Sequence, residues 1–267
     1  MPELPEIETI KRGIVNNVGS KIKSIEVNRL DIIKRQEFEL DLLYNETITG
    51  VGRRGKYLLL TLGEYFLIFH LGMSGRFYIL DADSEDNTPH IHVIIYLDNG
   101  NKLIYQDTRR FGGVFLVRDL VKFFAKMGVE PLTDDFTADY LYNITRGRKI
   151  PIKSLLLDQR IIAGIGNIYA DESLFLAKIR PDKKAGLLTL TEAAALSVAV
   201  KEVLTRSIEE RGTTFRDFRD GYNKTGNYQK MLKVYGRTNE SCLDCGTSLT
   251  RRVIGGRASH FCPDCQK

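Results

Sequence analysis

The chain predicts an α+β fold of several units: a β-rich N-terminal part, a helical middle and a small metal-bound hairpin at the end. Three observations carry this. Strand-like runs punctuated by Gly and Asn turns fill the first half, helical spacing replaces them beyond about residue 130, and all four cysteines fall within the last 26 residues. At 267 residues, 43% of them apolar, the chain exceeds a typical domain of about 100–150 residues and can supply a core to each unit.

Ile7, Ile10, Ile14 and Val18 recur at helical spacing, so the first element is a helix from Ile7 to about Val18. Strand-like runs follow at Lys21–Val27, Thr47–Arg53, Tyr57–Leu62, Tyr65–Leu71, Arg76–Leu80, Ile91–Leu97, Lys102–Gln106 and Val114–Val117. The turns Leu62-Gly63-Glu64 and Asp98-Asn99-Gly100-Asn101 between them favour an antiparallel sandwich or flattened barrel. Near Gly128–Asp135 the pattern changes, which sets a boundary between 1–130 and 131–230, and the cysteine-bearing end forms a third segment, 231–267.

In the second segment, Tyr140–Thr145 and Ile152–Gln159 read as short helices, and Ala163-Gly164-Ile165-Gly166 as a small-residue turn before a helix at Ile168–Ala177. Two helices around a Gly-rich turn suit a DNA clamp, because backbone N–H groups at a helix N-terminus can face phosphate, although such turns also occur in ordinary bundles. A long helix is expected after Thr189 and Glu192, spaced as a capping box, with Gly212 as its stop. Residues 213–230 show no clear periodicity and read as a loop.

No run approaches the roughly 18–20 apolar residues of a membrane span, and the N-terminus lacks signal-peptide order, so a cytoplasmic protein without a membrane partner is expected. Charge is unevenly placed. Residues 211–267 carry 11 Lys/Arg against 5 Asp/Glu, the remainder 28 against 29. A basic end on a neutral body suggests a polyanionic partner.

Two segments carry chemistry. If Met1 is removed, Pro2 exposes a secondary amine whose ordinary pKa is about 8, against about 10.4 for lysine, so a useful fraction is nucleophilic near neutrality. The structural alternative is that Pro2 and Pro5 stiffen the start of the helix, with Glu3 and Glu6 favoured by its positive end. At the other terminus, Cys242-Leu-Asp-Cys245 and Cys262-Pro-Asp-Cys265 have the spacing of a tetrahedral zinc site on two knuckles of a hairpin. Four thiolates leave no open position, so one structural Zn²⁺ is expected. Disulfides are the alternative, but nothing in the chain points to an oxidising compartment. Arg251, Arg252, Arg257 and His260 fall between the knuckles, where a β-ribbon could present them to phosphates.

Pro2-Glu3-Leu4-Pro5-Glu6, Arg54-Gly55-Lys56-Tyr57, His70-Leu71-Gly72-Met73-Ser74-Gly75, Asp107-Thr108-Arg109-Arg110-Phe111-Gly112, Gly164-Ile165-Gly166-Asn167-Ile168-Tyr169 and the four-cysteine finger occur in this order. Together, over essentially the whole chain, they resemble the bacterial formamidopyrimidine-DNA glycosylases, which excise 8-oxoguanine and ring-opened purines. The resemblance implies an N-terminal β-sandwich with flanking helices, a helix-two-turn-helix domain and a C-terminal zinc finger. It implies a monomer, associated with the nucleoid, acting in base excision repair on double-stranded DNA that contains oxidised purines.

It also implies residue roles. Pro2 would be the nucleophile and Glu3 the acid/base at the sugar. Lys56 would serve β-elimination and Arg257 δ-elimination, the latter through electrostatic stabilisation, since arginine does not readily give up a proton. His90, Arg109, Arg148, Lys153 and Asn167 would hold DNA. Met73, Arg109 and Phe111 would fill the void left by a flipped base. The loop from Thr213 to about Tyr228 would cap the flipped base. Thr108 in place of a usual proline, Pro89-His90-Ile91-His92 in place of a commoner pattern, and Arg216 in place of a frequent lysine depart from the family without removing a proposed catalytic group. Two competing readings are an endonuclease VIII-like glycosylase for oxidised pyrimidines and a non-catalytic zinc-finger DNA-binding protein.

Overall fold

The first 117 residues form two sheets in the computed structural model, which describes residues 1–214 and 218–267. The first sheet has the order β1-β7-β8-β6, from Ile22–Val27 (β1), Ile91–Leu97 (β7), Asn101–Asp107 (β8) and Gly75–Asp81 (β6). The second has the order β2-β9-β5-β4-β3, from Ile33–Gln36 (β2), Gly113–Val117 (β9), Tyr65–His70 (β5), Tyr57–Leu62 (β4) and Gly50–Arg54 (β3). All eight expected strand runs are present. β2 was not expected; it is a short, half-exposed strand that adds to β9 in parallel.

Helix α1 (Leu4–Ile14) buries Leu4, Ile7, Ile10 and Ile14 completely, and the three isoleucines join the core formed by the sheets. Each such side chain contributes on the order of 1.5–3 kcal/mol through burial. The helix ends four residues before the expected Val18, which is itself exposed. A short helix α2 (Leu120–Phe124), N-capped by Asp119, lays Leu120, Phe123 and Phe124 against Leu59, Ile68 and Val117.

By its contacts the chain forms two compact units, Met1–Ala125 with Glu210–Gln229, and Lys126–Glu209 with Lys230–Lys267. The expected partition put 210–229 with the helices, whereas it packs with the sandwich. Three contacts explain this: Thr213 N–H donates to Glu6 Oε1 at 2.8 Å, Ile79 N–H donates to Gly221 O at 2.9 Å, and Gly13 and Gly221 meet backbone to backbone. Arg216, in the expected capping loop, lies outside the described residues.

In the second unit, α3 (Ala138–Thr145) and α5 (Asn167–Leu176) pack on the long α6 (Leu190–Glu209), and α4 (Ile152–Leu156) precedes the Gly-rich turn. Gln159 stitches that turn, accepting from Gly164 N–H at 2.8 Å and donating to Ile165 O at 2.8 Å, while Gly164 takes φ +87°. The capping box before α6 forms as expected: Thr189 N–H donates to Glu192 Oε2 at 3.0 Å and Glu192 N–H to Thr189 Oγ1 at 3.2 Å. Strands β10 (Thr250–Ile254) and β11 (Arg257–Phe261) form the terminal hairpin, turned by Gly255 and Gly256 at φ +56° and +76°. Among the described residues, no helix is long and apolar enough to cross a membrane.

Glu6 is 1% exposed and accepts two backbone N–H groups, from Glu3 and Thr213, so its removal orphans both. Glu6→Ala should cost about 2–5 kcal/mol. It should also raise amide exchange in 210–214 and 218–229 more than in the sheets; protection unchanged in that segment would contradict the tether.

Candidate active site

In the first unit, Pro2 and Glu3 are buried at the start of α1, and Met1 is half exposed. Glu3 is the N-cap, and its N–H donates to Glu6 Oε2 at 2.8 Å. The first residues are therefore held from below by a carboxyl group that also holds Thr213.

Lys56 is buried in the turn between β3 and β4, where Gly55 takes φ +53°. Arg53 fixes this turn to α1: its Nε donates to Glu8 Oε2 at 3.1 Å and its Nη1 to Gly55 O at 3.0 Å. Burial pushes Glu8 up, but Lys11 and Arg53 outweigh it and hold the carboxyl below its usual range. His70, at the end of β5, lies against Tyr57 with ring centroids 4.8 Å apart. Burial, followed by the Lys56 ammonium, pushes His70 down to about 4, with Asp107 opposing, so the imidazole is neutral near pH 7. The motif around His70 assigns it no role, because the signal, a strand-end histidine near a lysine, exists only in three dimensions.

The three residues expected to fill a void are exposed on two turns of this unit. Met73 is 40% exposed on the turn between β5 and β6, and Arg109 and Phe111 lie on the turn between β8 and β9, with Phe111 63% exposed. The Arg109 guanidinium lies 5.8 Å from the Phe111 ring centroid. Arg110, at φ +55°, turns to Asp31 at 3.1 Å, so the two arginines part. His90, also exposed, takes φ +68°.

In the second unit, Arg257 is exposed at the start of β11, beside the hairpin turn, and Arg251 and Arg252 are exposed on β10. Arg148 is half buried and donates to Ile144 O at 2.6 Å. Asn167 opens α5 and donates to Ala258 O at 3.0 Å. Lys153 is fully buried, paired with Asp171 at 2.7 Å, and donates to Ala258 O at 2.7 Å and Ser259 Oγ at 2.9 Å. His260 is likewise buried; its backbone N–H donates to Asp171 Oδ2 at 2.9 Å, and its ring Nδ1 lies 3.3 Å from the same oxygen. Both side chains brace the hairpin from behind, a role that spacing along the chain could not reveal.

The four cysteine Sγ atoms lie within 4.8 Å of one another, with Cys242–Cys265 at 3.9 Å and Cys245–Cys262 at 3.5 Å. A tetrahedron with metal–sulfur bonds of about 2.3 Å has sulfur–sulfur edges near 3.8 Å, whereas a disulfide needs about 2.05 Å. The thiols fit a metal and not a disulfide. Hydrogen bonds from Thr247 hold Cys245 down to about 6, while the neighbouring thiols, Cys245 first, push Cys265 up. Four thiolates this close need a cation to coexist. Beneath them, Glu172 accepts three successive backbone N–H groups, from Lys233, Val234 and Tyr235 at 2.8, 2.9 and 2.8 Å, and anchors the segment leading into the finger.

Three family models match in order: the formamidopyrimidine-DNA glycosylase N-terminal domain over residues 1–114, the formamidopyrimidine-DNA glycosylase H2TH domain over 127–219, and the zinc finger found in FPG and IleRS over 239–267. The chain is 50% identical over 268 residues to the formamidopyrimidine-DNA glycosylase of Syntrophomonas wolfei, covering 100% of both chains. It is also similar to a Lactococcus lactis FPG mutant in complex with Fapy-dG containing DNA, at TM-score 0.92 and 36% identity over 100% of both chains. A complex of Lactococcus lactis Fpg with abasic-site DNA matches at TM-score 0.90 and 36% identity over 99% of both. The chain belongs to the formamidopyrimidine-DNA glycosylase family.

Proposed function

We propose that this protein is a bifunctional DNA glycosylase and abasic-site lyase that excises oxidised purines, 8-oxoguanine and formamidopyrimidines, from double-stranded DNA. The observation that carries the reading is the start of α1, where Pro2 and Glu3 are buried side by side and braced by Glu6. While Met1 is attached, the Pro2 nitrogen is a tertiary amide; its removal leaves a secondary amine at that position. The Pro2 nitrogen then attacks C1′ and the base departs. Glu3 delivers a proton to the sugar ring oxygen as the ring opens, a task suited to a buried carboxyl group. The resulting iminium acidifies the C2′ proton, so the 3′ phosphate leaves by β-elimination and the 5′ phosphate by δ-elimination. Lys56 serves the first elimination. Arg257 stabilises the phosphate that leaves in the second, and its exposure leaves the guanidinium available to an anion.

Met73, Arg109 and Phe111 fill the space vacated by the flipped nucleotide, Phe111 as a wedge and Arg109 as hydrogen-bond donor to the orphaned base. His90, Arg148 and Asn167 serve phosphate contacts, and residues 213–228 cap the flipped base. The functional division is then a catalytic segment 1–130, a DNA-binding helical segment 131–230 and a finger 231–267. The metal is one Zn²⁺ held by Cys242, Cys245, Cys262 and Cys265, with a structural role only. The protein acts as a monomer at the nucleoid. Borohydride should trap a covalent adduct with 8-oxoguanine duplexes, and Pro2→Gly should weaken it; no adduct with wild-type protein would favour a non-catalytic DNA-binding module. Excision from 8-oxoguanine:C should exceed that from thymine-glycol:A, and the reverse preference would favour an endonuclease VIII-like enzyme.

Removal of the metal should disorder residues 242–265 and abolish DNA binding while the sandwich stays folded, read by zinc analysis, circular dichroism and gel shift. Unchanged affinity after verified metal loss would refute the finger's part in binding.

A further inference from the structure

Besides the link from β1 to β2, two connections cross from one sheet of the sandwich to the other: the turn after β5, which enters β6, and the turn after β8, which enters β9. Because β5 pairs with β9 and β6 with β8, the crossings lie side by side, with His70 opposite Gly113 and Gly75 opposite Asp107. The first carries Met73 and the second Arg109 and Phe111. Between them sits Asp107, fully buried and given no role above.

Its carboxyl group joins the two turns. Oδ1 accepts from Ser74 Oγ at 2.6 Å and from Arg109 N–H at 3.3 Å, and Oδ2 accepts from Gly112 N–H at 2.9 Å. Ser74 Oγ in turn accepts from Arg109 N–H at 3.2 Å, and the Asp107 carbonyl meets His92 Nε2 at 2.8 Å. The backbones touch as well. A Cβ at Gly72, where φ is +60°, would stand 2.4 Å from Gly112 N, and one at Gly112 would stand 2.2 Å from His70 O. The two turns therefore have one carboxyl group as their shared hydrogen-bond centre and little room to shift independently.

We propose that Asp107 is a positioning residue that locks the Met73 turn to the Arg109–Phe111 turn, so that the three side chains enter DNA as one preset wedge. This rests on the reading of those three residues as void fillers. An amide at position 107 presents an N–H where one carboxyl oxygen accepted, so it opposes either the Ser74 and Arg109 donors or the Gly112 donor. Met73 and Phe111 then lose their fixed separation while the N-terminal nucleophile is untouched.

Two assays separate these effects in the full-length, zinc-loaded protein. Single-turnover excision of 8-oxoguanine opposite cytosine needs the void to be filled; borohydride trapping on a single-stranded abasic oligonucleotide leaves no orphaned base and needs only the nucleophile. Asp107→Asn should lower the first by about tenfold or more and leave the second within about twofold of wild type. Ser74→Ala, which keeps the carboxyl group and guards against misfolding of the first variant, should show the same split with a smaller drop. Equal losses in both assays, or no loss in either, would overturn the proposal. Absence of both activities in the wild-type protein would instead remove the glycosylase reading, and this inference with it.

Discussion

The Glu6 carboxyl group is the contact on which the N-terminal site depends. One oxygen receives the Glu3 N–H and the other the Thr213 N–H, in a setting with almost no solvent exposure. A nucleophile at a chain terminus would ordinarily fray, because terminal residues have few partners. Here the terminal residues open a helix whose apolar stripe is fully buried, and a carboxyl group from the first turn of that helix closes the opening. Arg53 extends the restraint to the Lys56 turn through Glu8 and Gly55 O. Effective chemistry between positioned groups depends on such pre-ordering.

The second unit solves a different problem, presenting arginines on a two-stranded hairpin too small to hold itself. The four thiols and Glu172 fix its base. Lys153 fixes its back: its ammonium forms an ion pair with Asp171 and donates to Ala258 O and Ser259 Oγ. A buried ion pair is a weak source of net stability, and breaking one partner is costly, so its value here is geometric: it fixes where Ala258, the neighbour of Arg257, lies. Asn167 donates to the same carbonyl from the start of α5. The placement of Arg257 therefore follows from residues on α4 and α5, remote from it in sequence.

Much of this was legible in the chain. Strand-like runs between Gly and Asn turns gave eight strands, and the cysteine spacing gave the four-thiol cluster, because both signals are local. β2 escaped because four residues, Ile33–Gln36, with alternate partial burial and a parallel partner 80 residues away, leave almost no local trace. The packing of 210–229 on the sandwich leaves no local trace, because its anchors, Glu6, Gly13 and Ile79, lie some 140–210 positions earlier. Of the residues singled out by motif, Met73, Arg109, Phe111 and Arg257 stand exposed at the surface. The buried polar residues Asp107, Lys153, Asp171 and His260 could not be read, since a buried charge takes its meaning from partners that only the fold supplies.

Peptide mapping of the borohydride-reduced adduct by mass spectrometry tests the Pro2 nucleophile at its point of attachment. The reduced sugar should be found on an N-terminal peptide that begins at Pro2 and lacks Met1. An adduct on Lys56, or on a peptide that retains Met1, would contradict the assignment of the Pro2 amine as nucleophile.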